Sequence, residues 1–185
     1  MISHADWYRA LTEAVVSVDD SLLRRAAEMV LESRLVLCAG NGGSSALAAH
    51  AAQAFAKPDY APGGGRPAVN LTDNMPSITA HANDGGWEAA MTEAGRTFLE
   101  RVPGCVLFAI SSSGKSKNIC KLAQLARDHG ARVFSMTGFD GEPLKSLSDL
   151  SLHVKSYDYE IVEPAHDALL HRIQAFVRML GMKTG

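Results

Sequence analysis

Four serine hydroxyls lie within six positions of the stretch AISSSGKSKN, residues 109–118. They are Ser111, Ser112, Ser113 and Ser116, and they fall between an apolar run and a segment with helical spacing. Short hydroxyl side chains beside the N–H groups of a helix N-terminus favour an anion such as phosphate. A single serine would be explained as a helix cap, with Ser116 the candidate. Four serines with a glycine instead predict a phosphate-binding loop with room for a sugar beside it.

A second group of residues suited to chemistry lies near the C-terminus, where Glu163, His166 and His171 fall within nine positions. On a predicted helix over residues 163–180, Glu163 and His166 share a face, and His171 lies roughly 80° away around the axis. Carboxylates and histidines are the groups that usually move protons in catalysis. The plainer interpretation is that the histidines bond to carbonyls or solvent and that Glu163 only places a favourable charge at the helix N-terminus.

Two nucleotide-binding motifs are incomplete in this sequence. A Walker A loop would need a glycine at the position of Ala109. A dinucleotide-binding fingerprint begins with Gly40 and Gly42 but has Ser45 where its third glycine belongs. The serine-rich loop is therefore predicted to hold a small phosphorylated ligand rather than a nucleotide.

Apolar runs predict strands, and helical spacing predicts the segments between them. The predicted strands are 35–39, 68–71, 105–110, 132–137 and 150–154, and the predicted helices are 5–18, 21–33, 44–57, 75–82, 86–101, 116–129 and 163–180. Because strands alternate with helices, we predict an α/β protein with a mostly parallel sheet covered on both faces, a three-layer α/β/α sandwich. Ligands bind such sheets at the carboxyl ends of the strands, where the loops 39–45 and 111–116 begin.

The 185 residues predict a single domain, with N-terminal helices over residues 1–33 and an α/β core over 34–185. The glycine- and proline-rich stretch 58–67 is predicted to be a loop within this domain. The two leading helices have no strand of their own, so we expect them to pack against another subunit.

The composition is typical of a globular protein that binds neither membranes nor nucleic acid directly. The chain has 46% hydrophobic and 21% charged residues and a net charge of −2, with no signal peptide, membrane span or basic cluster. The cysteines Cys38, Cys105 and Cys120 lack CxxC spacing. We therefore expect a reduced, cytoplasmic protein.

Six stretches of this sequence resemble the sugar isomerase (SIS) domain family and, within it, the phosphoheptose isomerases. They are GNGGSS after the first strand, HAAQAFAK from His50, AND at 82–84, ISSSGKS, VFSMTGFDG from Val133 and VEPAH from Val162. The resemblance implies a five-stranded flavodoxin-like sheet, N-terminal oligomerisation helices, a homotetramer and active sites at subunit interfaces.

The same resemblance implies an aldose–ketose isomerase, an intramolecular oxidoreductase that converts sedoheptulose 7-phosphate to a heptose 7-phosphate or acts on a related sugar phosphate. Such an enzyme would serve heptose biosynthesis for a surface glycan or a secondary metabolite. The serine loop would bind the phosphate, with Asn41, Gly42 and Ser44 contributing from the first loop and Asp84 from the interface.

One catalytic position departs from the family pattern. The family's base is a glutamate one turn after the histidine that matches His50, where this chain has Ala54. Glu163 stands where the family commonly has glutamine, so a carboxylate returns to the same pocket. Our hypothesis is that Glu163 is the base and that His171 or His166 is the acid.

Zinc is bound by some members of the family, and His171 matches a ligand position. His50, Glu163 and His171 form a candidate three-ligand set with an open position, which is typical of catalytic zinc. Proton transfer by Glu163 and a histidine requires no cofactor.

Two other functions stay open at this point. Ala54 favours an inactive binding protein of the DiaA type, an SIS tetramer that docks onto the replication initiator DnaA. A sugar-phosphate sensor would bind the ligand without turnover and would pass the signal to a separate protein partner.

Overall fold

The structure, a computed structural model, describes residues 3–57 and 65–182. Most of the predicted loop 58–67 lies outside the described residues. The elements in chain order are α1 His4–Val16, α2 Asp20–Glu32, β1 Leu35–Ala39, α3 Gly43–Ala56, β2 Ala68–Asn70, a 3-10 turn Leu71–Asp73, α4 Met75–Gly85, α5 Trp87–Arg101, β3 Cys105–Ser111, α6 Lys117–Asp128, β4 Arg132–Thr137, β5 Leu150–His153 and α7 Tyr159–Gly181.

The five strands form one parallel sheet in the order β2-β1-β3-β4-β5. Two of the three interior strands, β1 and β3, are buried along their whole length, as expected for a sheet covered on two sides. One apolar cluster joins the sheet to α1, α2, α3 and α7, and a second joins its other face to α4, α5 and α6. The predicted three-layer α/β/α sandwich is therefore confirmed.

The two N-terminal helices pack on α7 of their own chain. Arg172 of α7 donates to the carboxylate of Asp20 at 2.7 Å and places its guanidinium over the ring of Phe176. Helix α7 thus gives both helices a packing partner within the chain, and the expected contact with another subunit stays a prediction. Tyr8 and Val16 of α1 remain exposed.

Helix α7 begins four residues earlier than the predicted start at residue 163. The Asp158 side chain caps it by accepting from the N–H of Glu160 at 2.9 Å, and Pro164 lies inside the helix. Proline is more common in the first turn of a helix, so its position is a misleading start signal. Glu163 therefore lies in the second turn of α7, beyond the first-turn range in which a carboxylate interacts best with its own helix dipole.

The carboxyl ends of β1 and β3 lie side by side, with Ala39 paired to Ala109. This pairing brings the loop before α3 next to the serine loop before α6. No helix in the described part of the chain is long and apolar enough to span a membrane.

Candidate functional site

The serine loop has a fixed backbone. Gly114 adopts φ 71°, and a Cβ there would collide with the carbonyl oxygen of Gly141. The N–H of Gly138 donates to the Ser112 carbonyl at 2.7 Å, and the N–H of Leu144 donates to the Gly114 carbonyl at 3.2 Å. The segment after β4 therefore holds the loop in place before any ligand binds.

The serine hydroxyls are not used to cap α6. Ser116 stands at the N-cap position, but its side chain makes no capping bond and accepts instead from Ser111 Oγ at 3.1 Å. Ser113 Oγ accepts from the N–H of Lys115 at 3.2 Å. Ser112 Oγ is buried and has no hydrogen-bond partner among the described residues. A buried hydroxyl without a partner is costly, so this atom would gain from a hydrogen bond to a bound ligand.

These side chains surround a small hollow, which we call the serine pocket, of about 110 Å³. It is lined by Asn41, Ser44, Ile110, Ser111, Ser112, Ser113, Ser116, Tyr159 and Glu163. The pocket lies at the N-terminus of α6, where backbone N–H groups favour an anion. The hydroxyls and this helix end suit a phosphate group.

Lys115 is exposed and forms a surface ion pair beside the serine loop. Its ammonium contacts Asp140 Oδ2 at 2.9 Å, and Tyr157 donates to the other oxygen of that carboxylate at 2.8 Å. The hydrogen bond from Lys115 lowers the pKa of Asp140 below its usual range. The positive charge of Lys115 is therefore paired with the negative charge of Asp140.

Asn41 is held by a residue that the sequence did not single out. The side-chain amides of Asn41 and Asn118 exchange two hydrogen bonds of 2.9 and 2.8 Å, and Asn118 is buried in the first turn of α6. This pair joins the first loop to the serine loop. In the sequence, Asn118 is marked only by its place in the first turn of α6, directly after Lys117.

Glu163 lies against the N-terminus of α3. A Cβ on Gly43, the first residue of that helix, would be 2.9 Å from Glu163 Oε2, so the absence of a side chain at Gly43 admits the carboxylate. Gly42, the N-cap residue of α3, has no side chain to cap the helix. The positive end of the α3 dipole therefore attracts the carboxylate of Glu163. A carboxylate from α7 therefore lies beside the other residues that line the serine pocket.

A second cavity, which we call the histidine pocket, has a volume of about 320 Å³. It is lined by Gly43, Ser44, Ala46, Leu47, His50, Glu163, His166 and Asp167. Ser44 and Glu163 line both pockets. The two pockets are therefore neighbours, with Glu163 between the serines and His50.

The geometry brings two of the three predicted metal ligands, His50 and His171, together with a different carboxylate. Within the described residues, the side chains whose ligand atoms all lie within 4.8 Å of one another are His50, Asp167 and His171. Glu163 is not in this set, because its carboxylate turns toward Gly43. Asp167 lies four residues from both Glu163 and His171 on α7, and this spacing is the signal that sequence reasoning missed.

His166 is present in the histidine pocket but is almost fully buried. Its Nε2–H donates to the Thr137 carbonyl at 3.2 Å, and burial lowers its pKa to about 4. The ring is therefore neutral at pH 7, with one nitrogen already engaged. His171 is exposed, and its ring lies edge-on to that of His50 at 5.0 Å between centroids. Of the two candidate acids, His171 has the freer nitrogen atoms.

Gly42 and Asp84 do not line either pocket of the described chain. Gly42 adopts φ 54° at the turn into α3, so its contribution is backbone geometry. Asp84 is exposed near the end of α4 and accepts from the side chain of Asn83 at 3.1 Å. A contribution of Asp84 from another subunit stays a prediction.

Comparisons with known proteins agree with this fold. The family model described as "SIS domain" matches residues 4–138. The chain is 36% identical to a phosphoheptose isomerase of Crocosphaera subtropica over 76% of this chain and 70% of that one. It is 32% identical to a phosphoheptose isomerase of Pelobacter propionicus over 88% and 87% of the two chains.

A solved structure is similar over almost the whole chain. Phosphoheptose isomerase GmhA from Neisseria gonorrhoeae matches with a TM-score of 0.83 and 28% identity, covering 95% of this chain and 94% of that one. The sequence and structural relationships agree with each other. The chain belongs to the SIS domain family and, within it, to the phosphoheptose isomerase group.

Proposed function

We propose that this protein interconverts a ketose phosphate and an aldose phosphate, with sedoheptulose 7-phosphate or a related sugar phosphate as its substrate. The observation that carries the proposal is the position of Glu163, which borders both the serine pocket and the histidine pocket. A sugar whose phosphate occupies the serine pocket would extend past this carboxylate toward His50.

The phosphate end would be held by hydroxyls and a helix N-terminus. Ser112 Oγ would gain the hydrogen-bond partner that it lacks in the described chain, and the α6 N-terminus would stabilise the negative charge. Ser111 and Ser116 already bond to each other, so their hydroxyls are oriented before the ligand arrives. Asn41, held by Asn118, lines the serine pocket and would contact the ligand there.

Isomerisation requires one proton to move between two neighbouring carbon atoms. Glu163 would take the proton from the carbon beside the carbonyl, and the electron pair left behind would form the double bond of an enediol as the carbonyl oxygen accepts a proton from His171. Return of the carbon proton from Glu163 to the former carbonyl carbon, with loss of the other hydroxyl proton to His171, would complete the exchange. His166, neutral and engaged with Thr137, would shape the pocket rather than supply the proton.

Ala54 favours the alternative of a binding protein of the DiaA type, because it is a buried apolar residue where the family's base stands. The histidine pocket nevertheless contains two carboxylates, Glu163 and Asp167, both from α7. This arrangement supports an enzyme whose acidic group comes from a different helix.

The proposal includes a homotetramer and a cytoplasmic location. Trp87 and Met75 are large, exposed apolar residues at the start of α5 and α4, which supports a subunit contact. The three cysteines are free, and Cys38 and Cys105 are buried thiols, which supports a reducing compartment.

The test is turnover of sedoheptulose 7-phosphate by the purified full chain, followed by NMR detection of the aldose product and by light scattering of the same sample. Product formation by a tetramer is the expected result. Sugar-phosphate binding without product would overturn the isomerase proposal and would support a sensor or a binding protein.

A further inference from the structure

Tyr159 lines the serine pocket together with Glu163. It is the first residue of α7, and its four-residue separation from Glu163 places both side chains on one face of the helix. Helix α7 packs on one face of the sheet, and α6, which follows the serine loop, packs on the other. The pocket therefore has a side of hydroxyls formed by the serine loop and a side formed by α7, which carries an aromatic ring and a carboxylate.

The ring of Tyr159 is supported by Phe139. The two ring centroids are 4.5 Å apart, within the range of a favourable aromatic pair. Phe139 has a φ of 52°, which is rare for a bulky side chain and persists only where neighbouring groups hold it. Its N–H donates to the Ser156 carbonyl at 2.8 Å, and the ring of Tyr157 contacts it edge-on at 5.8 Å. The surrounding chain thus holds Phe139 against Tyr159.

The width of the serine pocket depends on Gly138, the first residue after β4. Its N–H donates to the Ser112 carbonyl at 2.7 Å. A Cβ on Gly138 would lie 2.6 Å from a methyl group of Val162, so the bare backbone packs directly against α7. One residue therefore contacts both the serine loop and the helix that carries Tyr159. The pocket has a volume of only about 110 Å³, and its two sides cannot move apart without losing these contacts.

The charges around the pocket discriminate between anions. No lysine or arginine is among the residues that line it, and Lys115 beside the loop is paired with Asp140. One phosphate group can use the serine hydroxyls and the N-terminus of α6. A second phosphoryl group attached to the first would lie against the Tyr159 ring and the Glu163 carboxylate, where it would lose water and meet no positive partner. The α7 side therefore penalises a diphosphate but accepts a carbon chain.

We propose that Tyr159 is a specificity-determining residue, whose ring closes the α7 side of the serine pocket so that the site selects a terminal monophosphate over a diphosphate. The half-exposed ring would pack on the carbon that carries the phosphate, and the diphosphate of a nucleotide-linked sugar would be rejected. This inference rests on the proposed function in one respect, namely that the serine pocket holds the phosphate group. It adds the residue that recognises how the phosphate is attached.

The test compares the binding of inorganic phosphate and of pyrophosphate to the full chain by calorimetry, without sugar. We expect the parent protein to bind pyrophosphate at least about tenfold more weakly than phosphate. Tyr159→Ala should reduce this preference by at least about threefold, mainly through tighter pyrophosphate binding, because the second phosphoryl group could then stay hydrated. Tyr159→Phe retains the ring and should keep the preference of the parent protein.

The matched control is Tyr8→Ala on α1, because Tyr8 is 55% exposed and Tyr159 is 52% exposed. This variant should bind both anions as the parent protein does. Equal binding of the two anions by the parent, no phosphate binding by the parent, or an unchanged preference in a folded Tyr159→Ala variant would overturn the proposal. A parent protein that prefers phosphate but does not turn over sedoheptulose 7-phosphate would contradict only the proposed isomerase activity.

Discussion

The carboxylate of Glu163 on α7 lies against Gly43, the first residue of α3. A Cβ on Gly43 would be only 2.9 Å from Glu163 Oε2. Two helices far apart in sequence thus form a single acidic position between a pocket of serines and a pocket of histidines. In the proposed mechanism Glu163 is the base, a role that Ala54 cannot fill.

Ser112→Ala separates ligand binding from folding. The hydroxyl is buried without a partner in the described chain, so its removal should leave Tm unchanged or raise it by up to about 2–4 °C. The loss of one phosphate contact should raise KM for the sugar phosphate by roughly 5- to 15-fold. Thermal melts and steady-state kinetics measure the two effects. A lower Tm with an unchanged KM would mean that the hydroxyl has a structural role only.

Gly43→Ala should impair turnover by displacing Glu163. The new Cβ would collide with Glu163 Oε2, so we expect kcat to fall by about tenfold or more. Because alanine is a better helix former than glycine, we expect no loss of thermal stability. In a Glu163→Gln background, the same change should add little, because both act through one group. Fully additive effects in this double-mutant cycle would contradict the contact as the cause.

Acid should destabilise the fold through His166. Its pKa is lowered from 6.5 to about 4 in the folded state because the ring is buried. Between these two values the unfolded chain takes up the proton and the folded chain does not, so the free energy of unfolding falls as the pH falls from 6.5 toward 4. The slope from this group approaches about 1.4 kcal/mol per pH unit.

Denaturant titrations across that pH range, with a chelator present, measure the slope. A His166→Gln variant retains a donor for the Thr137 carbonyl and has no titrating group. Its unfolding free energy should therefore depend less on pH within this window. An identical pH dependence of the two proteins would show that His166 does not carry the effect.

Local patterns predicted most of the fold. Strands Leu35–Ala39 and Arg132–Thr137 have their predicted bounds, because buried parallel strands are rich in apolar residues and a glycine follows each of these two. Helix α7 starts earlier than predicted because Asp158 caps it, whereas Pro164 within the helix is a misleading start signal. Helix ends depend on such competing signals, whereas the existence of a long periodic helix does not.

The site was predicted in its residue types but not in its contacts. The four serines follow from the sequence, but the lack of a partner for Ser112 Oγ depends on the packing around the loop. The Asn41–Asn118 pair joins residues 77 positions apart and has no local signature. Asp167 was open to prediction from its spacing of four to Glu163 and His171, although its approach to His50 depends on how α3 packs on α7.

The most direct test of the account is solvent exchange at the substrate. Sedoheptulose 7-phosphate is incubated in deuterated water with the parent protein, with Glu163→Gln, and with Glu28→Gln, a control at an exposed residue of α2 that pairs with Arg24. NMR follows deuterium entering the carbon beside the carbonyl. We predict exchange with the parent and the control, and a rate lower by about 10²- to 10⁴-fold with Glu163→Gln while the sugar phosphate still binds. Exchange at the parent rate with Glu163→Gln would contradict the assignment of Glu163 as the base.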